Sequence, residues 1–227
     1  VGSPTNITCT KIGNSSFSIV KSTGTLTVSA SDGYGDDASQ IVADTVQTFS
    51  DLPSPAINNM VVEVTGDNSN NFDNYYVKYD SSKDAWTETV APAIATTLDN
   101  TTMPHVLIRT ADGQFRFTQV DGSSYALSSA PTLYYDVPNW GTRVAGDLVS
   151  APNPTFIGRK LNDLFFHRNR LGFVADENVV MSRAGEFYEF FPETVTTVLD
   201  TDPLDVASTH SKVSILRHVV SFAEELL

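Results

Sequence analysis

Short runs of β-branched and aromatic residues, set apart by Gly, Asn, Asp and Ser, recur along most of the chain and predict strands far more often than helices. Residues 17–20 and 25–29 are two such runs around Ser22-Thr23-Gly24, which reads as a hairpin. Over 38–50 the pattern changes. Ile41, Val42, Val46 and Phe49 fall near one side of a 3.6-residue period, Asp36 or Asp37 stands where a cap belongs, and Pro53 follows, so one helix is expected. Strands resume at 60–64, 75–79 and 85–88, separated by the loop 66–71 and the turn 80–84. Residues 105–109 and 114–118 form a further hairpin around Ala111-Asp112-Gly113, whose Gly supplies the positive φ of a tight turn. Residues 1–125 therefore read as one α+β domain.

The texture then shifts twice. Pro131, Pro138, Pro152 and Pro154, with Gly141 and Gly146, make 126–155 an extended connection that Tyr134, Tyr135 and Trp140 pin to a neighbouring surface. From 156 onward aromatics are dense, and 163–167, 170–174 and 179–182 read as successive strands joined by Arg168-Asn169 and Asp176-Glu177-Asn178. Such short links suit a propeller blade or the corner of a sandwich. The expected fold class is mainly β with minor α.

Composition narrows the class. The 227 residues are 41% hydrophobic and 18% charged, as in a folded protein with a packed core. No run approaches the roughly 18 apolar residues of a membrane span. The net charge of −13, spread over both parts of the chain, opposes tight nucleic-acid binding, though it does not argue against a wall that DNA slides past. The single cysteine, Cys9, excludes an internal disulfide and a Cys-based zinc site. The ends, Val1-Gly2-Ser3-Pro4 and Phe222-Ala223-Glu224-Glu225-Leu226-Leu227, read as cuts through a longer protein.

Two groups of residues merit weighing for chemistry. Asp200, Asp202 and Asp205, around Pro203, carry the carboxylates that glycoside cleavage needs, but Asp beside a proline is an ordinary turn. Neither they nor the acidic loop 67–73 show the spacing of a calcium loop. His105, His167, His210 and His218 are scattered, and Gly-x-Ser-x-Gly and phosphate-loop motifs are absent, so no catalytic, cofactor-binding or metal residue is assigned. Arg159, Lys160, Arg168, Arg170 and Arg183 form the one basic cluster, interleaved with Phe165, Phe166 and Phe173. Stacking on single-stranded nucleic acid is one reading. The favoured one has the aromatics filling a β core while the arginines pair with Asp163, Asp176, Glu177 and Glu186, within the domain or across a subunit boundary.

The stretch from Phe156-Ile157-Gly158-Arg159-Lys160-Leu161-Asn162-Asp163-Leu164-Phe165-Phe166-His167-Arg168-Asn169-Arg170-Leu171-Gly172-Phe173 resembles the tail tubular protein B, or nozzle, family of short-tailed bacteriophages. The likeness continues through Glu177-Asn178-Val179-Val180-Met181-Ser182-Arg183, Glu186-Phe187-Tyr188-Glu189-Phe190-Phe191-Pro192, Asp202-Pro203-Leu204-Asp205-Val206 and Glu224-Glu225-Leu226-Leu227. The resemblance implies a propeller-like antiparallel domain beginning at 156 and cut short at 227. It further implies a homohexameric ring in the virion tail, assembled in the host cytoplasm. The ring would serve as a conduit for genome ejection and a platform for the adaptor (tail tubular protein A) and tail fibres. Double-stranded DNA would pass transiently, without specific binding, and no cofactor is implied. A tail-associated glycan hydrolase acting on capsule or peptidoglycan is the alternative. Arg159, Arg168, Arg170, Phe173, Arg183, Phe187 and Phe190 are the candidates for subunit packing or interaction.

Overall fold

The computed structural model describes residues 6–35, 38–66, 74–209, 215–222 and 225–226. By contact the chain gathers into two units, Val1–Pro92 and Ala93–Leu227.

In the first unit, β1 (Ile7–Ile12) pairs antiparallel with β2 (Ser16–Lys21), in register from Ile7 opposite Lys21 to Ile12 opposite Ser16. The expected hairpin about Ser22-Thr23-Gly24 is not formed. The partner of β2 lies before it, because Gly13, at φ 59°, closes a tight turn and Ile7–Ile12 offers a strand rich in β-branched residues, Ile7, Thr8, Thr10 and Ile12. Lys21 Nζ donates to the Thr25 carbonyl as the chain leaves the ribbon.

The expected helix over 38–50 is not formed either, and its caps Asp36 and Asp37 lie outside the described residues. β3 (Thr45–Val46) instead pairs parallel with the end of β4 (Val61–Val64), and a single 3-10 turn at Phe49–Asp51 follows. The segment is rich in β-branched residues, Ile41, Val42, Thr45, Val46 and Thr48, which lose side-chain freedom in a helix. Seating Val46 beside Val62, Val64 and Val77 outweighs the periodic signal. The order β3-β4-β5-β6, with β5 at Tyr75–Asp80 and β6 at Ala85–Thr89, completes the sheet. Trp86 donates its indole N–H to the Pro53 carbonyl at 2.9 Å and packs against Tyr79. With no α-helix among the described residues, the expected α+β character gives way to mainly β with several small sheets.

In the second unit the hairpin expected around Asp112-Gly113 is formed by β7 (Val106–Arg109) and β8 (Phe115–Thr118), with Gly113 at φ 80°. β9 (Ser124–Ala126) and β10 (Tyr134–Asp136) make a second two-stranded ribbon. The rest of the Pro- and Gly-rich stretch contributes to the core, since Val137, Trp140, Ala145 and Ala151 are buried.

The main sheet is an antiparallel meander of β11 (Leu161–His167), β12 (Arg170–Ala175), β13 (Asn178–Met181) and β14 (Leu204–Ala207), in that order. Every residue of β12 is buried. On one face Phe173 joins Trp140, Phe156, Phe190 and Phe191 in the core. On the other, Phe165 lies across Gly172, its partner on β12. Residues 215–222 run alongside β11: Asn162 Nδ2 donates to the Leu216 carbonyl at 2.8 Å, and Val219 N donates to Asp163 at 3.0 Å. They include β15 (Ser221–Phe222), which pairs with β16 (Glu225–Leu226).

A Cβ on Gly172 would sit 2.2 Å from Phe165 Cζ. In most strand interiors Gly→Ala stabilises. Here Gly172→Ala is expected to cost about 1–3 kcal/mol through overpacking, measured by urea unfolding. Combining it with Phe165→Leu should recover part of that loss.

Candidate functional site

The meander is organised around a buried cation. Arg170 opens β12 next to a two-residue turn in which Arg168 and Asn169 both have positive φ, 46° and 58°, a conformation Asn tolerates better than most residues. Its side chain is only 8% exposed. Nη1 donates to the carbonyls of Ser182 at 2.7 Å, Asp202 at 2.5 Å and Thr201 at 3.3 Å, and Nη2 donates to that of Asp200 at 2.6 Å. No carboxylate lies within ion-pair distance among the described residues. Carbonyl dipoles take the role of the counter-ion, and one guanidinium ties the end of β13 to the loop leading into β14. Ser182, fully buried, accepts the Leu171 N–H at 3.0 Å on its hydroxyl and closes the same joint.

Arg143 repeats the device in the segment read as a connection. It is buried and donates through Nε to the Ala151 carbonyl at 2.7 Å, through Nη1 to the Ala95 carbonyl and through Nη2 to Asn153 Oδ1 at 2.8 Å. The guanidinium carbon stands 4.7 Å from the Phe191 ring centre. Burial lowers its pKa from the ordinary arginine value, with Asp147 opposing. As a lone Arg between prolines it gave no periodic signal in the sequence.

The third polar cluster lies in 183–193. Arg183 bridges Glu193 at 2.6 Å and Glu186 at 3.3 Å. Glu189 rests against Gly141, where a Cβ would meet its Oε2 at 2.1 Å, and accepts the Phe191 N–H at 3.1 Å. Burial raises the Glu189 carboxyl above the usual range and Glu186 adds to this, against the Phe191 N–H and Arg183.

The seven packing candidates separate by depth. Phe173 and Phe190 stack in the interior with ring centres 5.6 Å apart, and Arg170 is buried with them in the same unit. Arg159 is exposed and pairs with Asp176 at 2.9 Å, Arg168 occupies the turn, and Arg183 is held by its glutamates. Phe187 is at the surface, edge-on to the exposed Phe166 at 5.4 Å. Two of the anticipated carboxylate pairings, with Asp176 and Glu186, are present. Asp163 instead accepts N–H groups from Val219 and Leu164, which with His218 hold its pKa below the ordinary value.

The residues weighed for hydrolysis serve local structure. The Asp205 carboxylate accepts from Thr155 N and Oγ1 and from Asn178 Nδ2, one Asp202 carboxylate oxygen accepts the Leu199 N–H while the other is buried without a hydrogen-bond partner, and the main-chain carbonyl of Asp200 accepts from Arg170. His105 stacks on Phe117, and His167 meets Ser221 at 2.9 Å with no carboxylate in ion-pair reach among the described residues. His210 and the loop 67–73 lie outside the described residues. No group of three or more His, Cys, Asp or Glu suited to a metal occurs among them, and none of their helices is long and apolar enough to cross a membrane. The hydrolase alternative finds no support in these placements.

These features define a mainly β protein whose polar clusters brace loops. The model of the bacteriophage nozzle protein family matches residues 2–227, and the chain is 38% identical over 196 residues to the tail tubular protein gp12 of Escherichia phage T7. That match spans 86% of this chain and 22% of the T7 protein. The chain belongs to the bacteriophage nozzle protein family and is a structural component of the phage tail, located in the virion.

Two outcomes follow from the buried charges. Arg170→Met strips donors from several buried carbonyls and should cost about 3 kcal/mol or more by denaturant unfolding, with Arg170→Lys recovering only part. Because the Glu189 carboxyl is raised in the folded state, its charged form opposes folding above that pKa, and the penalty fades as pH falls toward the unfolded value of about 4.3. Glu189→Gln should therefore raise the melting temperature at pH 8, with the gain shrinking toward pH 4.

Proposed function

We propose that the chain is part of a ring-shaped conduit in the phage tail, six copies surrounding a channel through which the genome leaves, with a platform for the adaptor and tail fibres. The observation that carries this reading is the family match across residues 2–227. In this reading β11–β14 begin a propeller-like domain, the ring assembles in the host cytoplasm, and the protein catalyses no reaction.

Two physical features support it. A net charge of −13 repels phosphate, so a channel wall of this composition would let DNA pass without holding it. Large apolar side chains are also exposed, among them Phe17, Leu107, Phe115, Phe117, Tyr134 and Phe166, more than a solitary protein usually leaves in water. Burial against neighbouring copies and tail partners would explain them.

Light scattering of the full-length protein should give a hexamer, or a ring formed on the adaptor. A strict monomer that ignores the adaptor would refute the proposal. Retention of that assembly on double-stranded DNA at about 0.2 M salt would contradict the repelling wall.

A further inference from the structure

One face of the β7–β8 hairpin lies toward the core, to which Val106 contributes. Its outer face departs from the polar-out pattern of a half-solvated antiparallel ribbon. Leu107 stands opposite Phe117 and Arg109 opposite Phe115, so these four share the outer face, where Leu107, Phe115 and Phe117 are 61%, 61% and 74% exposed. His105 stacks on Phe117 with ring centres 5.2 Å apart, extending the strip away from Arg109. The turn carboxylate of Asp112 is occupied by Thr110 Oγ1, Gln114 N and Ser129 Oγ. No carboxylate lies within ion-pair distance of Arg109 among the described residues. The strip is apolar with a free cation, in a chain of net charge −13.

The same unit carries a face of the opposite rim charge. Leu164 and Phe166 are exposed on β11, and Phe187 meets Phe166 edge-on. Beside Phe187, the side chains of Glu186 and Glu193 are 58% and 60% exposed, whereas the Arg183 they share is 16% exposed, so this rim presents carboxylate to solvent.

We propose that the His105–Arg109–Phe115–Phe117 strip of one copy docks on the Phe166–Phe187 face of the next, with Arg109 set against Glu186 and Glu193. This inference rests on the ring reading above and supplies its contact. Two different patches meeting head to tail are the kind of interface that closes into a ring. The aromatics supply buried area, and the opposed rims fix register and exclude other pairings.

The test uses the full-length protein, sized by light scattering at about 0.15 M salt, with a circular-dichroism melt to verify folding of each variant. Arg109→Glu should weaken assembly at least about tenfold, as should Glu186→Arg with Glu193→Arg, and all three together should restore it. Folded single-side variants that assemble like wild type, or a folded charge swap that does not recover, overturn the contact. Should the swap not fold, the surface substitutions Phe117→Ser and Phe187→Ser decide. Both must weaken assembly, and either one leaving it intact overturns the proposal. An oligomeric wild type indifferent to these changes refutes this contact alone, whereas a monomeric wild type refutes the ring reading and the contact with it.

Discussion

A guanidinium buried without a carboxylate is the constraint on which the second unit depends. Removing a cation from water is costly, and Arg170 is accommodated because four carbonyls, from Ser182, Asp200, Thr201 and Asp202, converge on it. These carbonyls lie on segments that could otherwise drift apart: the end of β13 and the irregular loop before β14. With β12 buried throughout, the cation fixes the start of the strand while Leu171, Phe173 and Ala175 seat its length in the core. Arg143 does for 93–155 what Arg170 does for the meander, using carbonyls of Ala95 and Ala151 and the face of Phe191. Long stretches with little regular structure are thereby held by side-chain donors.

This mode of bracing explains why so many polar residues carry no catalytic geometry. Asp99, Asp121 and Asp147 accept hydrogen bonds from groups two or three residues on, and Asp112 from Thr110 before it and Gln114 after it, which lowers their pKa and fixes the turns they occupy. What remains for the surface is apolar area on narrow ribbons, a composition suited to an assembled state.

The parts of the fold legible in the sequence were those governed by local chemistry. Strands at 75–79 and 85–88, the Asp112-Gly113 hairpin and the three-strand run after 160 follow from alternation and turn residues, and each has its counterpart in the structure. The misreadings came where distant partners decide. Val46 is periodic with Ile41, Val42 and Phe49, yet its strand pairs with Glu63 and Val64, leaving Ile41 and Phe49 exposed. β2 could face either of two neighbouring runs, and the run before it prevailed. β14 lies more than twenty residues past β13 and had no signal of its own beyond Leu204 and Val206. In the site, the salt bridges of Arg159 and Arg183 followed from nearby opposite charges. The burial of Arg170 among carbonyls did not, because carbonyl direction is a property of the folded loop.

The proposed role of this chain as a wall of the tail conduit is tested most directly by a cryo-electron microscopy reconstruction of the phage tail. The account predicts six copies around the axis, with the outer faces of β7–β8 in one copy and of Phe166 and Phe187 in the next meeting at the boundary between them. Density for this chain away from the axis, or copies that leave both faces in solvent, would contradict it.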